Sequence, residues 1–195
     1  MPKSQNSFLI VASRLISNIF NPLTALLVYF VYFSYQHYTW EEMLHRFWPI
    51  LLIVALPVSF WIVWNVKKGN YSNMDVSNRN QRKSLYVVIG IVMLVYLIVF
   101  YMMNKSIDTI MLFLLILLFL MQISNYFIKS SMHTAFNVIT AAFFFNQDVK
   151  LGVLWLIIAI IVGLTRIVLK RHTLSEVLMG GFLAAAVSAI YIYYH

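Results

Sequence analysis

The sequence predicts an all-α membrane protein: a polytopic bundle of six to seven transmembrane helices behind an N-terminal interfacial helix. Three observations carry this. Of the 195 residues, 62% are hydrophobic and only 10% charged, where soluble domains run near half and a quarter. The apolar residues fall in runs of about 20, the length that crosses a bilayer as a helix. Aromatic residues reach 16%, as suits a chain that meets the bilayer interface many times.

The opening "MPKSQNSFLIVASRLISNIF" is broken by Arg14 and Asn18 and lacks a cleavage site, so it is not read as a signal peptide. Ser7, Arg14, Ser17, Asn18 and Asn21 recur as a polar stripe. Residues 1–20 are therefore expected to carry an amphipathic interfacial helix from Ser7 to Phe20. The alternative is a buried stripe inside a longer first span. That span is expected from Pro22 to Tyr35, with Asn21 as cap and Pro22 at the first helical position. Further spans follow at Phe47–Val66, Leu85–Met103, Thr109–Ile128, His133–Phe145 (a short one), Leu151–Leu169 and Thr173–Tyr194. No repeat or second domain is visible, so residues 1–195 are read as a single integral-membrane domain. There is no cysteine, which removes disulfides and thiolate chemistry. A formal charge of +8 would suggest nucleic acid in a soluble protein. Here it points to positive-inside loops, anionic lipid or a phosphate-bearing substrate, and no nucleic-acid partner is expected.

Alternating spans place three unusual loops on one face: "DVSNRNQRK", "KSSMH" and "RIVLKRH". In the last, His172 and Glu176 stand four apart, on one face of the helix that starts there. A carboxylate at that spacing can fix an imidazole tautomer and leave the other nitrogen to attack. Glu176 can equally close a capping box with Thr173. Arg166, six residues before His172, has a planar fork suited to phosphate oxygens. Lys170 and Arg171 are read as interface anchors. In "KSSMH", which opens with Lys129, the small Ser130 and Ser131 sit just before a helix start, where backbone N–H groups can face an anion. His133 could donate a proton to a leaving group. In "DVSNRNQRK", Arg79, Arg82 and Lys83 supply cations beside the third span, with Arg79 and Arg82 three apart.

These loops resemble the motifs of the membrane-bound type 2 phosphatidic acid phosphatase superfamily, related in fold to the vanadium haloperoxidases. That family's third motif is Ser-Arg, five residues, His, three residues, Asp. Here it reads Thr165-Arg166, five residues, His172, three residues, Glu176, then "VLMGG". The second motif, Pro-Ser-Gly-His, appears as Ser130-Ser131-Met132-His133. A Lys-x-Ser-x-His form found in small prokaryotic members fits Lys129, Ser131 and His133 better. The loop "DVSNRNQRK" is similar to their Asp-Arg-x-x-Arg form, while the family's Lys, six residues, Arg-Pro is unmatched. The likeness covers residues 67–181. Glu176 replaces an aspartate, and Met132 a glycine.

The resemblance implies a lipid phosphatase. His172 would form a phosphohistidine and His133 would protonate the leaving oxygen. Arg79, Arg82, Lys83, Lys129, Ser131 and Arg166 would bind phosphate, with Glu176 as partner of His172. No cofactor or metal is implied, and the six carboxylates form no Asp-rich pair suited to magnesium. Candidate substrates are polyprenyl diphosphate, phosphatidylglycerophosphate and phosphatidic acid. The alternatives are a phosphotransferase delivering to a lipid alcohol, and a non-catalytic lipid-binding or transport protein. Gly180, Gly181, Ala184 and Ser188 form a small-residue stripe expected to pack closely. Of the 14 Lys and Arg, all but Arg46, Lys105 and Lys150 fall on the motif side. The positive-inside rule then puts that face in the cytoplasm, of a prokaryotic plasma membrane.

Overall fold

The computed structural model describes residues 7–76 and 78–194, and among these every regular element is helical. Lys3 and the rest of residues 1–6 lie outside the described part, as do Ser77, His195 and the side chain of Ser7. The chain forms two compact units, one of Met1–Phe33 with Ser130–His195 and the other of Ser34–Lys129.

In the first unit, α1 (Ser7–Ile19) meets α2 (Pro22–His37, which runs on past Phe33) at a bend of 51°. The bend has a local cause. Phe20 leaves the helix and Asn21 restarts it, its Oδ1 accepting the Thr24 N–H at 3.1 Å, with Pro22 pre-set for the first turn. The polar stripe of α1 divides. Ser17 is buried where α1 packs on α8, as is Ser13 outside the stripe, while Arg14 and Asn18 are exposed beside apolar Phe8, Leu15 and Ile19. Of the stripe's serines, Ser17 is thus buried within protein.

The centre of this unit is α7 (Met132–Phe145), packed on both α8 (Val149–Val168) and α9 (Leu174–Tyr194). Between His133 and Phe144 only Val138 is not buried. The far half of α7 is an aromatic cluster: Phe143 lies 4.8 Å from Tyr191 and 5.3 Å from Tyr29, ring to ring, and Phe144 4.9 Å from Trp155. The near half carries His133, Thr134 and Asn137 instead. Apolar packing therefore holds one end of α7 and hydrogen bonds the other.

In the second unit, α3 (Trp40–Pro49) runs through a π-helical segment (Ile50–Ala55) into α4 (Leu56–Lys67) without a break. The segment "YTWEEMLHR", between the expected spans Pro22–Tyr35 and Phe47–Val66, is thus helical from Trp40. Thr39 and Glu42 close a capping box there. Pro49 removes a donor and crowds the carbonyl four residues back, and the helix accommodates it by widening to i→i+5 bonds. α5 (Arg79–Asn104) and α6 (Thr109–Ser124) complete the unit, capped by Asn78 and Asp108. The polar segment between α4 and α5 is a packed turn. Tyr71 and Val76 are buried with Leu85, and the Tyr71 hydroxyl bonds Trp61 Nε1 at 3.0 Å and Ser84 Oγ at 2.9 Å.

Among the described residues four helices are long and apolar enough to cross a membrane: Trp40–Lys67, α5, α8 and α9; the bent pair α1 and α2, counted as one span, makes a fifth. The 16-residue α6 and 14-residue α7 are shorter, so among the described residues six to seven crossings are not all matched by length. The outer faces suit lipid. Ile91, Ile98, Ile160 and Phe182 are among many large apolar side chains left exposed. Fully burying one from water is worth about 1.5–3 kcal/mol, so such faces need an apolar solvent.

Candidate active site

The loop from α8 to α9 builds the site. α8 ends in a Schellman turn: the Arg171 N–H reaches the Arg166 carbonyl at 3.0 Å and the Lys170 N–H that of Ile167 at 2.9 Å. The left-handed residue of such a turn is usually glycine, yet here it is Lys170, at φ 54°. A non-glycine residue there costs roughly 1 kcal/mol or more, which the surrounding bonds must offset. The Arg166 carbonyl also takes the His172 N–H at 3.2 Å. The turn thereby fixes the backbone of His172 against the last turn of α8.

His172 is buried, and its Nδ1 stands 2.8 Å from Glu176 Oε2. The same oxygen accepts the Thr173 N–H at 3.2 Å, while Thr173 Oγ1 accepts the Glu176 N–H at 3.3 Å. The two roles expected as alternatives for Glu176 are therefore held by one atom. It caps α9 and it holds the imidazole. Its charge favours a proton on Nδ1, and so a lone pair on Nε2.

The second loop is joined to this turn through the backbone. The Ser131 N–H donates to the Glu176 carbonyl at 3.0 Å. Ser131 caps α7, its Oγ accepting the Thr134 N–H at 3.4 Å and the Thr134 hydroxyl at 3.0 Å. The approach requires Gly180, one turn beyond Glu176. A Cβ there would stand 2.6 Å from the Ser131 carbonyl oxygen and 3.0 Å from its nitrogen. Part of the small-residue stripe thus admits the backbone of the second loop to the first turn of α9. His133, second residue of α7, is buried, and its carbonyl accepts the Asn137 Nδ2 at 2.8 Å. Asn137 also donates to the Phe20 carbonyl at 2.9 Å, tying the α1–α2 bend to the His133 turn.

Arg166 is 1% exposed, and its Nη1 donates to Ser17 Oγ of α1 at 2.7 Å. Ser17 is the site residue that the sequence pattern did not single out. Its only signal was membership of the α1 polar stripe, and a stripe does not name its partner.

Ser131, His133, Arg166, His172 and Glu176 belong to the first unit, on α7, α8, the turn and α9. The other expected phosphate-binding residues belong to the second unit, where each has local work. Arg79 Nε donates to the Asn125 carbonyl at 2.6 Å, and Asn125 Nδ2 returns a bond to the Arg79 carbonyl at 3.2 Å. Arg82 is 1% exposed, its Nε on the Val76 carbonyl at 2.9 Å. Lys83 is exposed, its Nζ 5.4 Å from the Tyr126 ring centre, and Lys129 is half-buried. Arg79 and Arg82 stand three apart as expected, on the first turn of the 26-residue α5.

Compared with family models, with curated proteins and with solved structures, the chain matches none.

Proposed function

We propose that this chain is a membrane lipid phosphatase of the type 2 phosphatidic acid phosphatase kind, acting through a phosphohistidine at His172 without a metal ion. The carrying observation is the 2.8 Å contact of buried His172 Nδ1 with Glu176 Oε2. A histidine held this way has a defined tautomer and a carboxylate to stabilise the positive imidazole.

In the proposed reaction His172 Nε2 attacks the phosphorus. An N–P bond forms as the P–O bond toward the lipid breaks, and His133 gives its proton to the departing oxygen. Water then attacks the phosphohistidine. Its proton passes to His133, the N–P bond breaks, and phosphate leaves. Arg166 balances charge on the transferring group, with Ser131 and the N–H groups that open α7 as further donors. Arg79, Lys83 and Lys129 remain supplementary phosphate cations in this reading, whereas Arg82, its Nε on the Val76 carbonyl, holds a turn. Glu176, one methylene longer than the family's aspartate, reaches both His172 and the Thr173 N–H. α6 and α7 count as crossings, making seven with the first bent pair; α7 is sheathed in protein and needs little lipid-facing length. The motif face lies in the cytoplasm.

The test is phosphate release in chelator, from polyprenyl diphosphate, phosphatidylglycerophosphate and phosphatidic acid, by the purified protein with and without a lipid alcohol. Release in chelator, unchanged by the alcohol and lost by at least about a thousandfold in His172→Ala, is expected. Full activity in folded His172→Ala contradicts the mechanism.

A further inference from the structure

The second unit carries a pocket with charged residues on one side, at the end of α5 remote from Arg79. At 1.5 Å per residue α5 is roughly 39 Å long, enough to separate its ends by a bilayer's width. Beside its last turn is a pocket of about 390 Å³. Its polar side is Glu41, Glu42, His45 and Arg46 of α3, and its apolar side includes Phe100 and Met103 of α5. The volume falls in the roughly 300–1,000 Å³ range of small-ligand sites.

What makes it a candidate site is a pair of opposite charges: Arg46, which is held by ring stacking and acts electrostatically on Glu42, and Glu41, in the first turn of α3. The Arg46 guanidinium stacks on the Tyr38 ring, 4.2 Å from its centre, and lies 6.0 Å from that of Phe100. Among the described residues no oxygen is within bonding distance of its N–H donors. Glu42 is occupied: its Oε2 takes the Thr39 N–H at 2.9 Å and the Thr39 hydroxyl at 3.0 Å. Glu41 has no such donor among the described residues, although it lines the same pocket. A guanidinium fixed on an aromatic face presents its fork to a phosphate. A carboxylate nearby asks for an ammonium. An anionic head group would meet two carboxylates, and a bare phosphate would leave Glu41 unanswered.

We propose that this pocket binds the head group of an ethanolamine phospholipid, with the phosphodiester on Arg46, the ammonium on Glu41 and the glycerol against Phe100 and Met103. The surroundings match a lipid held at the membrane interface. Trp40, Trp48 and Tyr101 are exposed nearby in sequence on the same two helices, where an aromatic belt would lie. Ile98 and Met102, more than half exposed on α5, offer the acyl chains an apolar wall. The pocket shares no residue with the phosphatase site and does not rest on that reading.

Native mass spectrometry of the full-length protein tests it, with phosphatidylethanolamine, phosphatidylcholine and phosphatidylglycerol of identical chains added in equal amounts. Phosphatidylethanolamine is expected to be retained at least about fivefold over each of the others, the scale of one partly exposed ion pair. Arg46→Gln and Glu41→Gln should each remove that preference. Glu41→Lys should invert it toward phosphatidylglycerol, a gain that misfolding would not produce. Equal retention of the three lipids, or an unchanged preference in both neutral variants, overturns the assignment. Soluble glycerophosphoethanolamine binding as tightly as the lipid overturns the lipid as occupant.

Discussion

Two arginines of this molecule are equally buried and do opposite things. Arg82 and Arg166 are each 1% exposed, and each adjoins a turn containing a non-glycine residue at positive φ, Val76 at 45° and Lys170 at 54°. At Arg82 the side chain holds the turn, Nε on the Val76 carbonyl. At Arg166 the backbone does so: its carbonyl collects the N–H groups of Arg171 and His172. Its guanidinium is then turned to the hydroxyl of Ser17. A carbonyl in a packed turn is a fixed acceptor, and removing its donor costs stability. A neutral hydroxyl is an acceptor that an anionic oxygen outcompetes. Burial alone does not separate an arginine that holds a turn from one able to turn its fork to an anion; the nature of the acceptor does.

Paired substitutions break or sharpen this contrast. Arg166→Lys should lower kcat/KM by about a hundredfold or more, because an ammonium cannot reproduce the fork on a transferring phosphoryl group. Arg82→Lys should instead destabilise by roughly 1–3 kcal/mol, with folded-state turnover within about threefold. Thermal melts beside lipid phosphate assays read both. Equal kinetic losses in the two variants would erase the distinction.

Glu176→Gln tests the turn that Arg166 organises. The amide oxygen can still accept the Thr173 N–H, so the melting temperature should barely move. The charge facing Nδ1 is gone, and turnover should fall about a hundredfold. A lowered melting temperature with normal turnover would reduce Glu176 to a helix cap.

Gly180→Ala comes next. The added methyl meets the Ser131 backbone, and overpacking of this kind costs about 1–3 kcal/mol. Gly181→Ala, whose methyl would lie 4.0 Å from Thr134 Cγ2, should be nearly neutral. Comparable melts for the two would show that the second loop does not depend on Gly180. The smallest effect is expected from Ser17→Ala, about 1 kcal/mol of stability, with kcat within about threefold since phosphate would take the hydroxyl's place on Arg166.

Much of the helical plan was legible because most of the apolar runs are near-continuous segments of about 20 residues. The pairing of His172 with Glu176 was legible too, since four residues on a helix is a contact distance. Four features were not. The bond from the Ser131 N–H to the Glu176 carbonyl is between backbone atoms, and any two residues could make it. Ser17 and Arg166 are 149 positions apart, so the α1 stripe showed a face without its partner. The segment "DVSNRNQRK" reads as an open loop by composition. Its polar residues are instead spent on a cap at Asn78 and on the carbonyls of Val76 and Asn125. The helix α3 was hidden by Pro49, which a following π-helical segment accommodates, although Thr39 and Glu42 form the capping box that marks its start.

The most direct measurement is to trap the phosphoenzyme. The purified protein would be incubated with labelled lipid phosphate in chelator, quenched at alkaline pH to spare phosphohistidine, and mapped by peptide. Label on His172, absent in His172→Ala and reduced in Glu176→Gln, is the predicted result. Sustained phosphate release with no label on His172, or label on another residue, would contradict a nucleophilic His172.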